Sequence, residues 1–288
     1  MNKKTILITG CSSGFGKLTA KLFHKNGWNV IATMRSPEKE TELTALSDVL
    51  VTKLDVTDQI SVSKAVDAGV DKFGGIDVLV NNAGFSGAGI FEQWKDGDIK
   101  VMFETNVFGL MRVTKEVLPL MRSKEEGIII NISSLAGLIG SPSSSVYSAS
   151  KFAVEGLTEA LAIEYAPFNI KFKTIAPGAY ETNLYSSMDN SRFSNGDEQL
   201  RDYCLKMIAK MNETVEQMIE QGNQTSDPQE VADKIYKCAT EKTPIHNVSG
   251  IDAESMLQMK KSMSEEELVK TISDMVVPNT SNSNPKKK

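Results

Sequence analysis

The feature that most constrains this chain is a series of strand-length apolar runs that do not alternate. "TILIT" (5–9), "NVIAT" (29–33), "VLVTKL" (49–54), "IDVLV" (76–80), "GIIINI" (127–132) and "IKFKTIA" (170–176) carry Ile and Val on successive positions. Neighbouring side chains of a strand point to opposite faces, so a run that is apolar throughout needs cover on both. The segments between the runs read as helices. "GKLTAKLFHKNG" (16–27) places Leu18 and Leu22 one turn apart and closes on glycine, and "SVSKAVDAGVDKFGG" (61–75) ends in paired glycines. "IKVMFETNVFGLMRVTKEVLPLMRSK" (99–124) reads as one long helix, with Pro119 a perturbation near its end.

Alternating strand and helix predicts an α/β fold, a Rossmann-like doubly wound parallel sheet with helices on both faces. After Ala176 the rhythm breaks. Over 183–226 no strand-like run occurs, while Leu200, Cys204, Met207, Ile208, Met211, Val215, Met218 and Ile219 recur at helical spacing. This stretch is read as a short helical substrate lid. "SDPQEVADKIYKCATE" (226–241) starts another helix, with Ser226 or Asp227 as its cap and Pro228 in its first turn. "HNVSGIDA" (246–253) offers a last strand, and "SEEELVKTISDMV" (264–276) a helix with Ser264 and Glu267 spaced as a capping box. Residues 1–277 are expected to form a single domain with the lid inside it, and 278–288 a disordered tail.

Charge and composition exclude several classes. A net charge of −5 and no Lys/Arg cluster inside the folded region give no footprint for nucleic acid. No apolar stretch is long enough to span a membrane, and "MNKKTILITG" passes directly into a strand instead of a signal peptide. Three cysteines (Cys11, Cys204, Cys238) and two histidines (His24, His246) supply neither a disulfide framework nor a metal-ligand set. A reducing, cytoplasmic setting without a metal is expected.

A nucleotide site is legible where the first strand meets the first helix. "TILITGCSSGFGKLTA" carries Gly10, Gly14 and Gly16 in that junction, the context in which a glycine loop lets backbone approach a pyrophosphate at a helix N-terminus. Ser12, Ser13 and Phe15 complete the loop. At the end of the second strand an acid would favour NAD, whereas "ATMRSPEK" offers Met34, Arg35 and Ser36. A guanidinium suits a 2′-phosphate, so NADP(H) is preferred and NAD(H) possible; the rival role for Arg35 is a solvated surface residue. "LDVTD" (54–58) places Asp55 and Val56 at an adenine, with a helix cap the rival role for Asp55 and Asp58 able to fill it. "NNAG" (81–84) ends the fourth strand: Asn82, Ala83 and Gly84 are small enough for backbone to approach a cofactor, and Asn81 can tie adjacent loops.

"TGCSSGFG", "LDVT", "NNAG", Asn106 in "ETNVFG", "NISSLAG", "YSASK" and "APGAYET" occur in a familiar order and spacing. The chain resembles the short-chain dehydrogenase/reductase family, motif by motif over about 4–182 and more loosely to about 262. "TGCSSGFG", "ATMR" and "VSGIDAESML" look most like a subgroup that includes hydroxysteroid and retinol dehydrogenase-like enzymes. The resemblance implies a catalytic set of Asn106, Ser134, Tyr147 and Lys151. It implies that Lys151 also binds the nicotinamide ribose, that Asn106 bends its helix and holds a water, and that Pro177, Gly178 and Thr182 meet the nicotinamide carboxamide. Ser134 is chosen over Ser133 by the family's spacing to the tyrosine.

The chemistry agrees. Tyr147 can protonate a carbonyl oxygen, but an ordinary phenol, with a pKa of about 10, is a poor base for the reverse step. Lys151, one helical turn on, lies on the same face and favours the phenolate. Bringing a phenol from about 10 to about 7 takes about 4 kcal/mol, which two opposite charges about 4 Å apart supply at intermediate dielectric.

The expected activity is interconversion of a ketone or aldehyde and an alcohol by hydride transfer. The alternative is a non-catalytic NAD(P)-binding sensor or scaffold, which loss of Tyr147 or Lys151 would have favoured. A sugar-nucleotide epimerase or dehydratase is disfavoured by the glycine spacing and the short lid. The Met/Leu/Ile stripe of the lid could line a pocket for a bulky apolar substrate, or serve as a packing face or an oligomer contact. Leu138, Ile139 and Tyr185 are the residues expected nearest a substrate. The resemblance also implies a homodimer or homotetramer built on the helices at 99–124 and 146–166.

Overall fold

The computed structural model describes residues 3–180, 195–220 and 227–278, with the side chains of 215–220 excepted. Seven strands pair in the order β3-β2-β1-β4-β5-β6-β7, every pair parallel. They are β1 (Thr5–Ile8), β2 (Asn29–Met34), β3 (Val49–Lys53), β4 (Val78–Asn81), β5 (Gly127–Ile132), β6 (Ile170–Pro177) and β7 (His246–Ser249). The apolar runs behave as their composition requires. Ile6 and Ile8 enter one core with Val30, Ala32, Val78 and Val80, while Leu7, Ile31 and Leu79 between them enter the other.

Helices α1 (Gly14–Lys25) and α7 (Gln229–Thr240) cover the first face, contributing Ala20, Phe23, Val231 and Ile235. Helices α2 (Gln59–Phe73), α4 (Leu110–Lys124) and α5 (Ser145–Glu164) cover the second, through Val62, Val66, Val113, Val117 and Leu161. Caps fall where the sequence places them. The Asp58 carboxylate accepts from Ile60 N at 2.9 Å at the start of α2, and Asp227 accepts from Gln229 N at 2.9 Å before α7; Ser226 lies outside the described residues. Ser264 and Glu267 form the capping box of α9 (Glu265–Val276).

The run read as one helix over 99–124 is a correction. It is α3 (Asp96–Phe103), a π-helical turn (Glu104–Gly109) and α4, with Pro119 inside α4. A π turn places one extra residue in the ladder, and here the turn carries Asn106, whose buried amide needs partners. Its Oδ1 accepts from Phe85 N at 3.0 Å and its Nδ2 donates to Phe85 O at 2.9 Å. A helix over 251–262, α8 (Ile251–Ser262), has no counterpart in the sequence reading. Only Ala253 of it is buried, and its apolar residues do not gather on one face, so its periodicity was invisible.

The lid stretch holds α6 (Glu198–Glu220), with Cys204 and Met207 buried. It packs on α9: Lys210 Nζ donates to Asp274 O (2.8 Å) and Val277 O (2.6 Å), satisfying carbonyls at that helix's end. Residues 183–194, 221–226 and 279–288 lie outside the described residues.

A polar seam crosses the second core. Asn81 Nδ2 donates to Thr114 Oγ1 and to Asn131 Oδ1, its parallel-register partner, and Asn131 Nδ2 donates to Thr158 Oγ1, each at 2.9 Å. Four elements, β4, β5, α4 and α5, are thereby tied at one level. Removing a member leaves buried polar atoms without partners, so Asn131→Ala should lower the unfolding free energy by about 1–3 kcal/mol. Urea unfolding is the check, and a midpoint equal to wild type would mean that the seam adds no stability.

Candidate active site

The strand order reverses between β1 and β4, and their carboxyl ends open the crevice where ligands of such sheets bind. Thr9 knits the two loops: its Oγ1 accepts from Asn82 N and Ala83 N, both at 2.9 Å. Asn82 Nδ2 returns to Thr9 O (2.8 Å) and Gly10 O (3.1 Å). Gly10 has φ +74°, and a Cβ there would come within 3.0 Å of Ala83 Cα. A Cβ on Gly16 would lie 2.4 Å from Gly10 O, so this loop closes only around glycine. Ser13 caps α1 in extended backbone without a side-chain bond, and no acid occupies the first turn of α1. The positive end of α1 therefore has no carboxylate of its own in that turn.

A cleft of about 600 Å³ runs along this edge. Gly10, Ser12, Ser13, Gly14 and Phe15 form one wall. Met34 and Arg35 from β2, then Asp55 and Val56 after β3, form the next; Asn82, Ala83 and Gly84 follow from β4. Two expected cofactor contacts stand back from it. Ser36 caps a short turn at Pro37–Lys39 through its backbone, and Gly16 lies behind the loop. Burial opposes ionisation of Asp55, but the N–H and hydroxyl of Thr57, with the Arg35 charge, hold its carboxyl below the ordinary value.

At the other end of the cleft lie Ser133 and Ser134 after β5, Tyr147 and Lys151 on α5, Pro177 at the end of β6 and Gly178 after it. Tyr147 and Lys151 are 8% and 7% exposed. Lys151 Nζ is 5.7 Å from the Tyr147 ring centroid and donates to Ile132 O at 2.8 Å. Burial pushes Lys151 down to about 8, against the opposing influence of the Glu155 charge. Ser134 Oγ accepts from Ala136 N at 3.1 Å. The neighbouring Ser133 Oγ is buried without a partner among the described residues.

Asn106 does not line the cleft. It is 1% exposed, and beyond its Phe85 bonds it donates to Met102 Sδ (3.0 Å) and Ser150 Oγ (3.2 Å). Ser150 in turn donates to Tyr147 O at 2.7 Å, so Asn106 couples the 82–85 loop to the start of α5. A Cβ on Gly84 would lie 3.0 Å from Asn106 Oδ1 and 3.9 Å from Lys151 Nζ. Leu138 and Ile139, expected nearest a substrate, are not among the residues lining this cleft. Ser134 caps a turn at Leu135–Gly137 that carries the chain past the cleft; Ile139 is buried, and Leu138 O accepts from Lys260 Nζ at 2.5 Å. Thr182 and Tyr185 lie outside the described residues.

The structure adds residues that sequence patterns did not flag. Tyr180 lines the cleft edge-on to Phe15, centroids 5.4 Å apart. Its hydroxyl meets Ser249 Oγ at 2.9 Å and Glu230 Oε2 at 3.1 Å, and burial pushes it up to about 12. Asp252 fixes the loop after β6, Oδ2 accepting from Ala179 N at 2.7 Å. A Cβ on Gly178 would fall 2.1 Å from the Asp252 carboxylate. That pairing of distant positions leaves no local signal. Among the described residues, no cluster could hold a metal ion and no helix is long and apolar enough to cross a membrane.

Comparison with known proteins decides the class. Residues 4–192 match the family model for short chain dehydrogenases. An uncharacterized oxidoreductase of Bacillus subtilis, YusZ, is 41% identical over 252 residues, 83% of this chain and 86% of that protein. The chain belongs to the short-chain dehydrogenase/reductase family. It is an NAD(P)-dependent oxidoreductase. A 3-ketodihydrosphingosine reductase of Bacteroides thetaiotaomicron is 40% identical over 208 residues, covering 72% of this chain and 76% of that one. A short-chain dehydrogenase from Streptomyces avermitilis superposes with TM-score 0.78 at 32% identity, over 95% of this chain and 98% of its own. ElxO with NADP bound superposes at TM-score 0.69 and 32% identity, over 85% and 96%.

The buried lysine makes the site costly to the fold. Because burial lowers its pKa from the unfolded value, the ammonium is disfavoured in the native state at pH 7, and native stability from this group rises only between pH 8 and 10.5. Lys151→Met should therefore raise the unfolding free energy at pH 7 by about 1–2 kcal/mol, after loss of the Ile132 bond. Thermal and urea unfolding measure it; a less stable variant would mean that the lysine supports the fold it sits in.

Proposed function

We propose that this protein is an NADP(H)-dependent reductase of a bulky, apolar ketone or aldehyde, also able to run the reverse oxidation of the alcohol, with Tyr147 as general acid/base. The observation that carries the reading is the convergence of Tyr147, Lys151 and Ser134 on one cleft with the glycine loop and Arg35. The residues fit the cofactor. The glycine loop has no room for side chains where backbone must approach, and α1 offers a pyrophosphate its positive end. Arg35 would take the 2′-phosphate, Asp55 and Val56 the adenine, Asn82 to Gly84 the intervening backbone, and Pro177 and Gly178 the carboxamide. NADPH, when bound, supplies the hydride.

The chain's own residues supply the rest. Ser134 holds the substrate oxygen beside Tyr147, whose hydroxyl gives it a proton as hydride arrives at the carbonyl carbon. Lys151 orients the ribose, and its ammonium offsets the charge left on the phenolate. Asn106 acts at one remove, keeping the 82–85 loop and α5 in register. In the oxidation direction the same phenolate takes the proton back.

Two relatives support the finer terms. ElxO was solved with NADP, and the 3-ketodihydrosphingosine reductase is named for a long-chain ketone, in keeping with an apolar substrate here. Exposed Phe108 (49%), Phe152 (45%) and Ile163 (76%), on the helical segments expected to pair, support a homodimer or homotetramer. Three free, buried cysteines support a reducing, cytoplasmic setting.

Titration of the folded protein with NADPH and NADH, followed by a ketone screen with the better cofactor, is the direct test. Tyr147→Phe should reduce turnover by at least roughly 10²-fold while cofactor affinity holds, because a positioned general acid is worth about that much. Retained activity would remove Tyr147 from the mechanism. Arg35→Asp should weaken NADPH by about tenfold or more relative to NADH, since a carboxylate opposes the 2′-phosphate; an unchanged ratio would put the phosphate elsewhere.

A further inference from the structure

We propose that Glu155 is a positioning residue for this reaction, a buried carboxylate one turn beyond Lys151 that holds the ammonium charge in the cleft and is itself held by Thr174 and His246. The inference rests on the catalytic reading of Tyr147 and Lys151 given above. Tyr147, Lys151 and Glu155 follow at four-residue intervals along α5 and are 8%, 7% and 6% exposed. Side chains so spaced share one face of a helix. The bond of Lys151 to Ile132 O brings no counter-charge. Glu155 is the acid whose field reaches the lysine, where it works against the effect of burial.

A carboxylate this deep is costly unless its oxygens are engaged. Thr174 Oγ1 on β6 donates to Oε2 at 2.8 Å, and His246 Nδ1 on β7 meets the same oxygen at 2.7 Å. The second oxygen, Oε1, is buried with no partner among the described residues. On its other side, His246 Nε2 lies 2.8 Å from Glu159 Oε1, one turn further along α5. His246 thus bridges the two carboxyl groups of α5, one ring nitrogen to each. Lys151, Glu155, His246 and Glu159 then form a polar row from the cleft to the surface. The titratable groups around the pair among the described residues are Tyr147 and Glu159 on α5 and His246 on β7, while Thr174 and Asn106 are neutral. As a stabilising device such a row is poor, because apolar packing of the same volume does as well or better. Its position beneath the lysine gives it a use.

Glu155→Gln removes the charge and keeps the shape, with an amide oxygen still able to accept from Thr174. In this variant Lys151, followed by the carbon-13 resonance of its Cε, should titrate about one pH unit or more below its place near 8. The fall of kcat/KM for reduction at high pH should begin correspondingly earlier, a roughly tenfold loss near pH 8 carried by kcat, with KM nearly unchanged. Glu155→Asp, which restores the charge, should restore the profile. A folded Glu155→Gln enzyme with wild-type Lys151 titration and pH profile would overturn the proposal and leave Tyr147 in its role, whereas an active Tyr147→Phe enzyme would overturn the catalytic reading itself. The wild-type protein offers a test that needs no variant to fold. The carboxyl carbon of Glu155 should show an inflection at the pH where Lys151 titrates, and a flat trace through that pH would sink the idea.

Discussion

Covering both faces of a parallel sheet dictates where chemistry can occur in this molecule. Each strand buries successive side chains in opposite cores, Ile6 and Ile8 in one and Leu7 in the other, so both faces are committed to helices. Connections must then run from one end of the sheet to the other, and loops gather at the edges. Between β1 and β4 the loops leave in opposite directions and a crevice opens. Thr9, Asn82 and the glycines at 10 and 16 shape that crevice by closing it to side chains. The cleft is thus a consequence of the cores, with α5 bringing Tyr147 and Lys151 to its far end.

The stabilising and the functional polar groups of the second face are layered. The Asn81, Asn131, Thr114 and Thr158 seam is closed among the described residues apart from Asn81 Oδ1, and it locks α4 and α5 to the sheet. One layer toward the carboxyl edge the accounting changes: Ser133 Oγ has no protein partner there, and Lys151 is buried against a single carbonyl. Groups left short of partners inside a cleft are available to a ligand, and a site organised this way trades stability for readiness.

Much of this was legible in the sequence, for identifiable reasons. Runs of Ile and Val without alternation could only be doubly covered strands, and six of the seven were readable from that property; β7, whose "HNVS" has a single aliphatic residue, was inferred from its place in the order. Local chemistry was equally readable: Asp58, Ser264 and Glu267 cap the helices their spacing assigns. What failed needed tertiary contacts. The π turn follows from an amide reaching Phe85, and α8 has too little buried surface to leave a period. The role of Asp252 depends on a carboxylate meeting the loop at Ala179, and the capped turn after Ser134 takes Leu138 and Ile139 out of the cleft lining.

The C-terminal helices connect these local facts to how the cleft is enclosed. Lys260 on α8 holds Leu138 O, the exit of the turn that Ser134 caps. Asp252, at the start of the same helix, holds the loop that ends in Tyr180. Helix α9 binds α6 of the lid through Lys210 and through Thr214 Oγ1 to Met275 O at 3.3 Å. Gln93 and Asn195 exchange bonds of 3.2 and 2.9 Å between side-chain amides and backbone carbonyls on the opposite side of the lid. Both sides of this end of the cleft are therefore referenced to residues 251–278, which make no contact with the glycine loop in these bonds. Changes there alter how the cleft is enclosed without touching Tyr147, Lys151 or the glycine loop. A fold of this kind can vary how its cleft is enclosed through its carboxyl-terminal helices while α5 and the glycine loop keep their places.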